Sequence, residues 1–74
     1  MSELKYKKKF YESGELRWEE WSLDGEWHNE EGPTLICYRK DGSVSGKWWF
    51  LNGVEYSEEE WKEIVFRKVF EGAL

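Results

Sequence analysis

Apolar and polar residues alternate with a period of two over much of the first 56 positions, and turn dipeptides interrupt the alternation at short intervals. The interruptions are Ser13-Gly14, Asp24-Gly25, Gly32-Pro33, Asp41-Gly42 and Asn52-Gly53. Asp-Gly and Asn-Gly tolerate the positive φ that tight hairpin turns demand. The runs between them are rich in aromatic and β-branched side chains, which predicts an antiparallel meander rather than βαβ units. In the first run Leu4, Tyr6 and Phe10 share a face, and Lys5, Lys7, Lys9 and Tyr11 take the other. In the second run Leu16 and Trp18 have one parity while Trp21 and Leu23 have the opposite, so a β-bulge is expected at Glu19-Glu20. Leu35, Ile36, Cys37 and Tyr38 offer apolar side chains to both faces, as a central strand does.

Displacing the chain against itself by 28 positions aligns Phe10 with Tyr38, Gly14 with Gly42, Leu16 with Val44, Trp21 with Trp49 and Gly25 with Gly53. The matches fall where backbone geometry or packing is most demanding, so the pattern reads as a duplicated β-unit. One domain over residues 1–74 follows, with a first β-unit at 1–32, a second at 33–56 and a C-terminal helix at 57–72. The copies differ on one face. Trp48 and Phe50 stand at the parity held in the first copy by Glu20 and Ser22, leaving an apolar surface that needs a cover.

The helix is expected to supply that cover. Ser57-Glu58-Glu59-Glu60 is a capping box, in which Ser57 and Glu60 satisfy one another's amides. Tyr56 and Trp61 occupy the hydrophobic-staple positions, and three glutamates in the first turn suit the positive end of the helix dipole. The helix is predicted from about Glu58 to Glu71, stopping at Gly72. Trp61, Ile64, Val65 and Val69 form one stripe, expected to lie near Trp48 and Phe50, and Phe66 and Phe70 lie well round from it. The fold class is therefore α+β, mostly β: a meander of two hairpin units with one helix packed on the sheet.

Composition explains how so short a chain holds together. Six Trp, four Tyr and four Phe make up 19% of its 74 residues, and each aromatic ring buries a large area. The single cysteine, Cys37, rules out an intramolecular disulfide, and the single histidine, His28, leaves no Cys and His set to hold a metal. No apolar stretch follows the lysines near the start as in a secretory signal, and no run is long enough to span a bilayer; a cytoplasmic protein is expected. The net charge of −5 is uneven. Residues 1–11 carry +3, residues 12–31 carry −7, residues 32–56 carry +1 and residues 57–74 carry −2. The acidic block argues against a general nucleic-acid binder, whose affinity rests on neutralising phosphates.

Few residues carry candidate chemistry. His28 has no nucleophile or carboxylate tied to it by spacing, so it reads as structural, packing beside Trp27 and holding the Gly32-Pro33 turn. Cys37, between Ile36 and Tyr38, reads as an inert buried thiol. The Lys7-Lys8-Lys9 run, between Tyr6 and Phe10, resembles a single-strand-binding surface but reads first as an edge strand kept from aggregating by outward lysines. Gly14, Trp21, Gly25, Gly32, Pro33, Gly42, Trp49, Asn52, Gly53, Ser57, Glu60 and Trp61 are assigned to the scaffold with His28. No catalytic residue, cofactor or metal ligand is assigned, and an enzyme is not expected.

Three stretches together resemble a known family. They are Gly25-x-x-His28-x-x-x-Gly32-Pro33, then Tyr38-x-x-Asp41-Gly42, then Trp49-Phe50-Leu51-Asn52-Gly53-Val54-Glu55-Tyr56-Ser57-Glu58-Glu59. Their order and spacing are similar to the MORN-like repeat proteins of tailed bacteriophages, over roughly residues 10–62. Asn29 stands where that family usually has Arg. The resemblance implies a β-hairpin scaffold in a phage or prophage setting, and no catalytic activity.

The function expected is a protein-interaction module that binds, and inhibits or redirects, a host or anti-phage defence protein. Its surface is expected at Glu19, Glu20, Glu30, Glu31, Phe66 and Phe70, aromatic residues rimmed by acids. A homodimeric accessory protein joined through the helix is one alternative. An acidic nucleic-acid mimic or weak nucleic-acid binder is the other; no membrane partner is expected.

Overall fold

The computed structural model describes residues 3–72, and the side chains of the C-terminal helix as far as Lys68. The elements are β1 (Leu4–Phe10), β2 (Leu16–Leu23), β3 (Glu26–Trp27), β4 (Leu35–Tyr38), β5 (Val44–Leu51), β6 (Val54–Tyr56) and α1 (Glu58–Gly72). The sheet runs β1-β2-β4-β5-β6, with the short β3 paired to β2, and every pairing is antiparallel. α1 packs against β5 and β6. The mostly-β meander with one C-terminal helix expected from the alternation is the architecture observed, with β4 in the centre of the sheet.

The 28-residue duplication is present in the backbone itself. Lys9 pairs Trp18 and Phe10 pairs Leu16; 28 positions on, Cys37 pairs Gly46 and Tyr38 pairs Val44. Each copy therefore carries one extra residue, Arg17 or Ser45, at the same place. The turns coincide too. Gly14 and Gly42 have φ of 103° and 91°, Asp24 and Asn52 both have 50°, and Gly25 and Gly53 have 85° and 81°. An Asp or Asn at the first of these paired positions is the side chain that best tolerates such a φ.

The bulge is not at Glu19-Glu20 but at Arg17. β2 alternates regularly from Trp18 to Leu23. The parity change in the sequence arises because both faces of β2 carry aromatic residues, not because the strand slips. The molecule measures 49 × 29 × 19 Å, which leaves room for little beyond one sheet over most of its area. Among the described residues only Leu51 and Trp61 are buried apolar side chains. With no inside and outside in the usual sense, hydrophobic parity loses its meaning.

The helix forms as expected at its start. The Ser57 amide donates to Glu60 Oε1 and the Glu60 amide to Ser57 Oγ, both at 3.2 Å. Its anchor lies elsewhere than expected. The buried Trp61 donates its indole N–H to the Asn29 carbonyl at 2.8 Å, tying α1 to the loop after β3. Phe50 is met edge-on by Trp27, with ring centroids 4.9 Å apart, and Trp48 stays 37% exposed. The second copy's apolar face is thus dressed by the first copy's Trp27, and Trp48 remains open. Ile64, predicted in the buried stripe, is itself exposed, and Val69 lies outside the described side chains.

A set of polar contacts in residues 27–34 knits the second unit together and joins it to the first. Thr34 is fully buried, and its hydroxyl donates to the Phe50 carbonyl at 3.0 Å while accepting from the Phe50 amide at 2.8 Å. Its own amide donates to the Trp48 carbonyl, and its carbonyl accepts from the Trp21 amide. Asn29 and Gly53 add amide bonds to the carbonyls of Phe50 and Trp27. Replacing Thr34 by the near-isosteric valine strands the Phe50 amide, so Thr34→Val is expected to cost about 1–3 kcal/mol. Urea unfolding of the two proteins, with unchanged m-values, measures it.

Candidate interaction site

The loop between β3 and β4 and the neighbouring residues of β1 and β2 line a concavity. Leu4, Trp21 and Leu23 form its floor, the segment from His28 to Pro33 forms its wall, and its volume is about 520 Å³. The wall is rigid because its own side chains brace it. Asn29 Oδ1 accepts from the Glu31 amide at 3.0 Å, and Asn29 Nδ2 donates to the Pro33 carbonyl at 2.9 Å. This Asx turn is the work of Asn29 alone.

His28 is the keystone of the wall, by contacts other than those expected of it. Its side chain is buried, and Nδ1 accepts from the Asn52 amide at 2.9 Å. That fixes the tautomer, so Nε2 carries the proton and donates to Glu30 Oε2, 2.9 Å away. His28 therefore holds the Asn52-Gly53 turn of the other unit, and the Gly32-Pro33 turn is held by Asn29. The His28 hydrogen bond keeps the Glu30 carboxyl below the usual carboxylate range, and Lys68, 3.5 Å from Oε1, adds to the effect. Glu30 is thus an anion locked at the rim of the concavity, with the exposed Glu31 beside it.

The other residues expected in a binding surface are scattered by the fold. Glu19 and Glu20, adjacent in sequence, point to opposite faces. Glu20 accepts from the Trp27 indole at 2.9 Å on the face away from the concavity. Glu19, on the same face as the concavity, accepts from the hydroxyls of Tyr6 at 2.6 Å and Tyr38 at 2.5 Å, and so links β1, β2 and β4. Phe66 is 75% exposed on α1, and Phe70 lies outside the described side chains. Among the described residues, only Glu30 and Glu31 come together in one site.

Sequence reasoning missed Thr34, Asn29 and Gly46. A threonine directly after Gly-Pro carried no periodic signal, and its importance lies in a partner 16 residues away. Among the described residues no group of three or more His, Cys, Asp or Glu is arranged to hold a metal ion, and no helix is long and apolar enough to cross a membrane. No family model, no curated protein and no solved structure matches the chain.

The Glu19 pair of hydrogen bonds generates a pH prediction. Both phenols are pushed up to about 12, first because they donate to Glu19 and then because their anions face its charge. A raised folded pKa means the contribution to stability is complete below pH 10, the ordinary tyrosine value, and is lost as pH rises from there toward 12. Ultraviolet titration of the four tyrosines is expected to show two ionising near pH 12. In Glu19→Gln those two move back toward the ordinary range; no movement means that Glu19 is not the cause.

Proposed function

We propose that this chain is a non-enzymatic interaction module of phage type that docks on a host or anti-phage defence protein and inhibits or redirects it. The observation that carries the reading is the concavity, with its apolar floor of Leu4, Trp21 and Leu23 and its anionic wall at Glu30 and Glu31. A partner fits it by inserting an apolar side chain flanked by basic residues.

Phe66 favours a second reading. It is 75% exposed, and Lys62, Glu63 and Arg67 surround it, a charge pattern that a second copy of the helix can answer. Sedimentation at high concentration separates the two readings. A homodimer through α1 requires association that Phe66→Asp abolishes, and the docking reading requires partner binding that Phe66→Asp preserves.

Leu4 and Glu31 are exposed and make no contact on which the fold depends, so Leu4→Asp and Glu31→Lys test the concavity without unfolding the chain. Captured host or defence proteins are to be purified and titrated against wild type and both variants by calorimetry. One-to-one binding that each variant weakens by about tenfold or more is expected, as for the centre of an interface. Equal binding by all three proteins removes the concavity from the interface.

A further inference from the structure

On the sheet face opposite the concavity, the strand register arranges basic and aromatic side chains in rows. Lys9 pairs Trp18, Trp18 pairs Cys37, and Cys37 pairs Gly46. The next row runs Lys7, Glu20, Leu35, Trp48, and the third runs Lys5, Ser22, Trp27. Three rows therefore each begin with an exposed lysine on the edge strand β1 and lead to an indole. Alternate residues on a strand are roughly 6.8 Å apart, so Lys5, Lys7 and Lys9 leave β1 at even intervals on this face; the Lys5 ammonium lies 3.8 Å from Glu3 and the Lys9 ammonium over the Trp18 ring.

The indoles are set out as a platform. Gly46 lacks the Cβ that would stand 2.6 Å from the Trp48 ring, so this ring lies over the glycine backbone and still keeps 37% of its surface exposed. Trp27 is 41% exposed, its N–H is already satisfied by Glu20, and its ring is packed at an angle against Phe50, so the exposed part of the ring is what it offers. Lys9 and Arg17 lie 5.4 and 5.1 Å from the Trp18 ring centre. A shallow slot of about 260 Å³ opens between Trp18, Glu20, Trp27, Leu35 and Cys37.

We propose that this face docks a single strand of nucleic acid, with its phosphates along Lys5, Lys7 and Lys9 and its bases stacked on Trp18, Trp27 and Trp48. Charge and ring chemistry together select this occupant. A row of lysines alone suits any polyanion, and indole faces alone suit any planar or apolar group; a single strand supplies both at once. A duplex keeps its base faces covered, and a peptide acidic throughout, such as polyglutamate, has no planar rings for the indoles. The net charge of −5 does not oppose the assignment, because the acids lie mostly elsewhere. By strand register Glu20 and Glu55 share this face among the described strand residues, and Glu3 joins them by pairing Lys5 at 3.8 Å; Glu20 is engaged by Trp27. The site is separate from the concavity, so neither reading depends on the other.

Lys7 and Lys8 provide the test. Both are exposed on β1, and Lys7→Glu and Lys8→Glu change the net charge equally, but Lys8 points to the other face, over Tyr6. The probe is an oligothymidylate of about eight nucleotides, titrated by tryptophan fluorescence, with oligouridylate, a duplex and polyglutamate as comparisons. Quenching is expected with both single strands, with log K falling against log salt at a slope of about −2, as three phosphate contacts require. Lys7→Glu is expected to weaken binding about tenfold and Lys8→Glu less than about twofold. Trp48→Ala is expected to lower affinity by roughly 5- to 100-fold. No binding at low salt, or equal losses in the two lysine variants, overturns the proposal. So does a duplex bound as tightly as the single strands, and displacement by polyglutamate would assign the face to an acidic protein instead.

Discussion

Everything in this fold leans on one buried ring. His28 accepts the Asn52 amide at one nitrogen and gives its proton to Glu30 at the other, so a residue of the first β-unit holds the turn of the second. A backbone amide in a turn with φ of 50° has few partners within reach, and a buried amide without one is costly. The constraint propagates from there. With the Asn52 turn seated, the Thr34 hydroxyl reaches both backbone groups of Phe50, and the Asn29 carbonyl stands where the Trp61 indole meets it. The helix is fastened to the sheet through that same short loop.

This explains how a chain with two buried apolar side chains among its described residues keeps a defined shape. A conventional core selects one arrangement by excluding water from a volume, and a single-layer sheet has no such volume. Directional contacts substitute for it. The buried polar side chains, His28 and Thr34, are both fully partnered, as is every buried side-chain nitrogen or oxygen among the described residues. Aromatic rings do the remaining work by covering neighbours in the sheet, as Tyr6 does for Trp21 and Trp27 for Phe50.

The division between what was legible in the sequence and what was not follows the same physics. Turn glycines, the capping box and the 28-residue offset are local or repetitive, and each appears where the sequence places it. The helix anchor, the role of Asn29 and the burial of Thr34 depend on contacts between segments far apart, and no period records them. The bulge was misplaced for a related reason: parity in β2 was read against an inside face that a thin sheet lacks. Of the six residues expected in a binding surface, two line the concavity. Glu30 and Glu31 stand together, and Glu19 and Glu20 were parted by the alternation that makes a strand.

The offset that places Arg17 on Ser45 also places His28 on Tyr56 and Asn29 on Ser57. In the first unit this pair of positions opens the bracing loop; in the second it opens the helix. The same place in the repeat is therefore followed by a loop in one copy and by a capped helix in the other. Size in this architecture is consequently a matter of punctuation rather than of core volume.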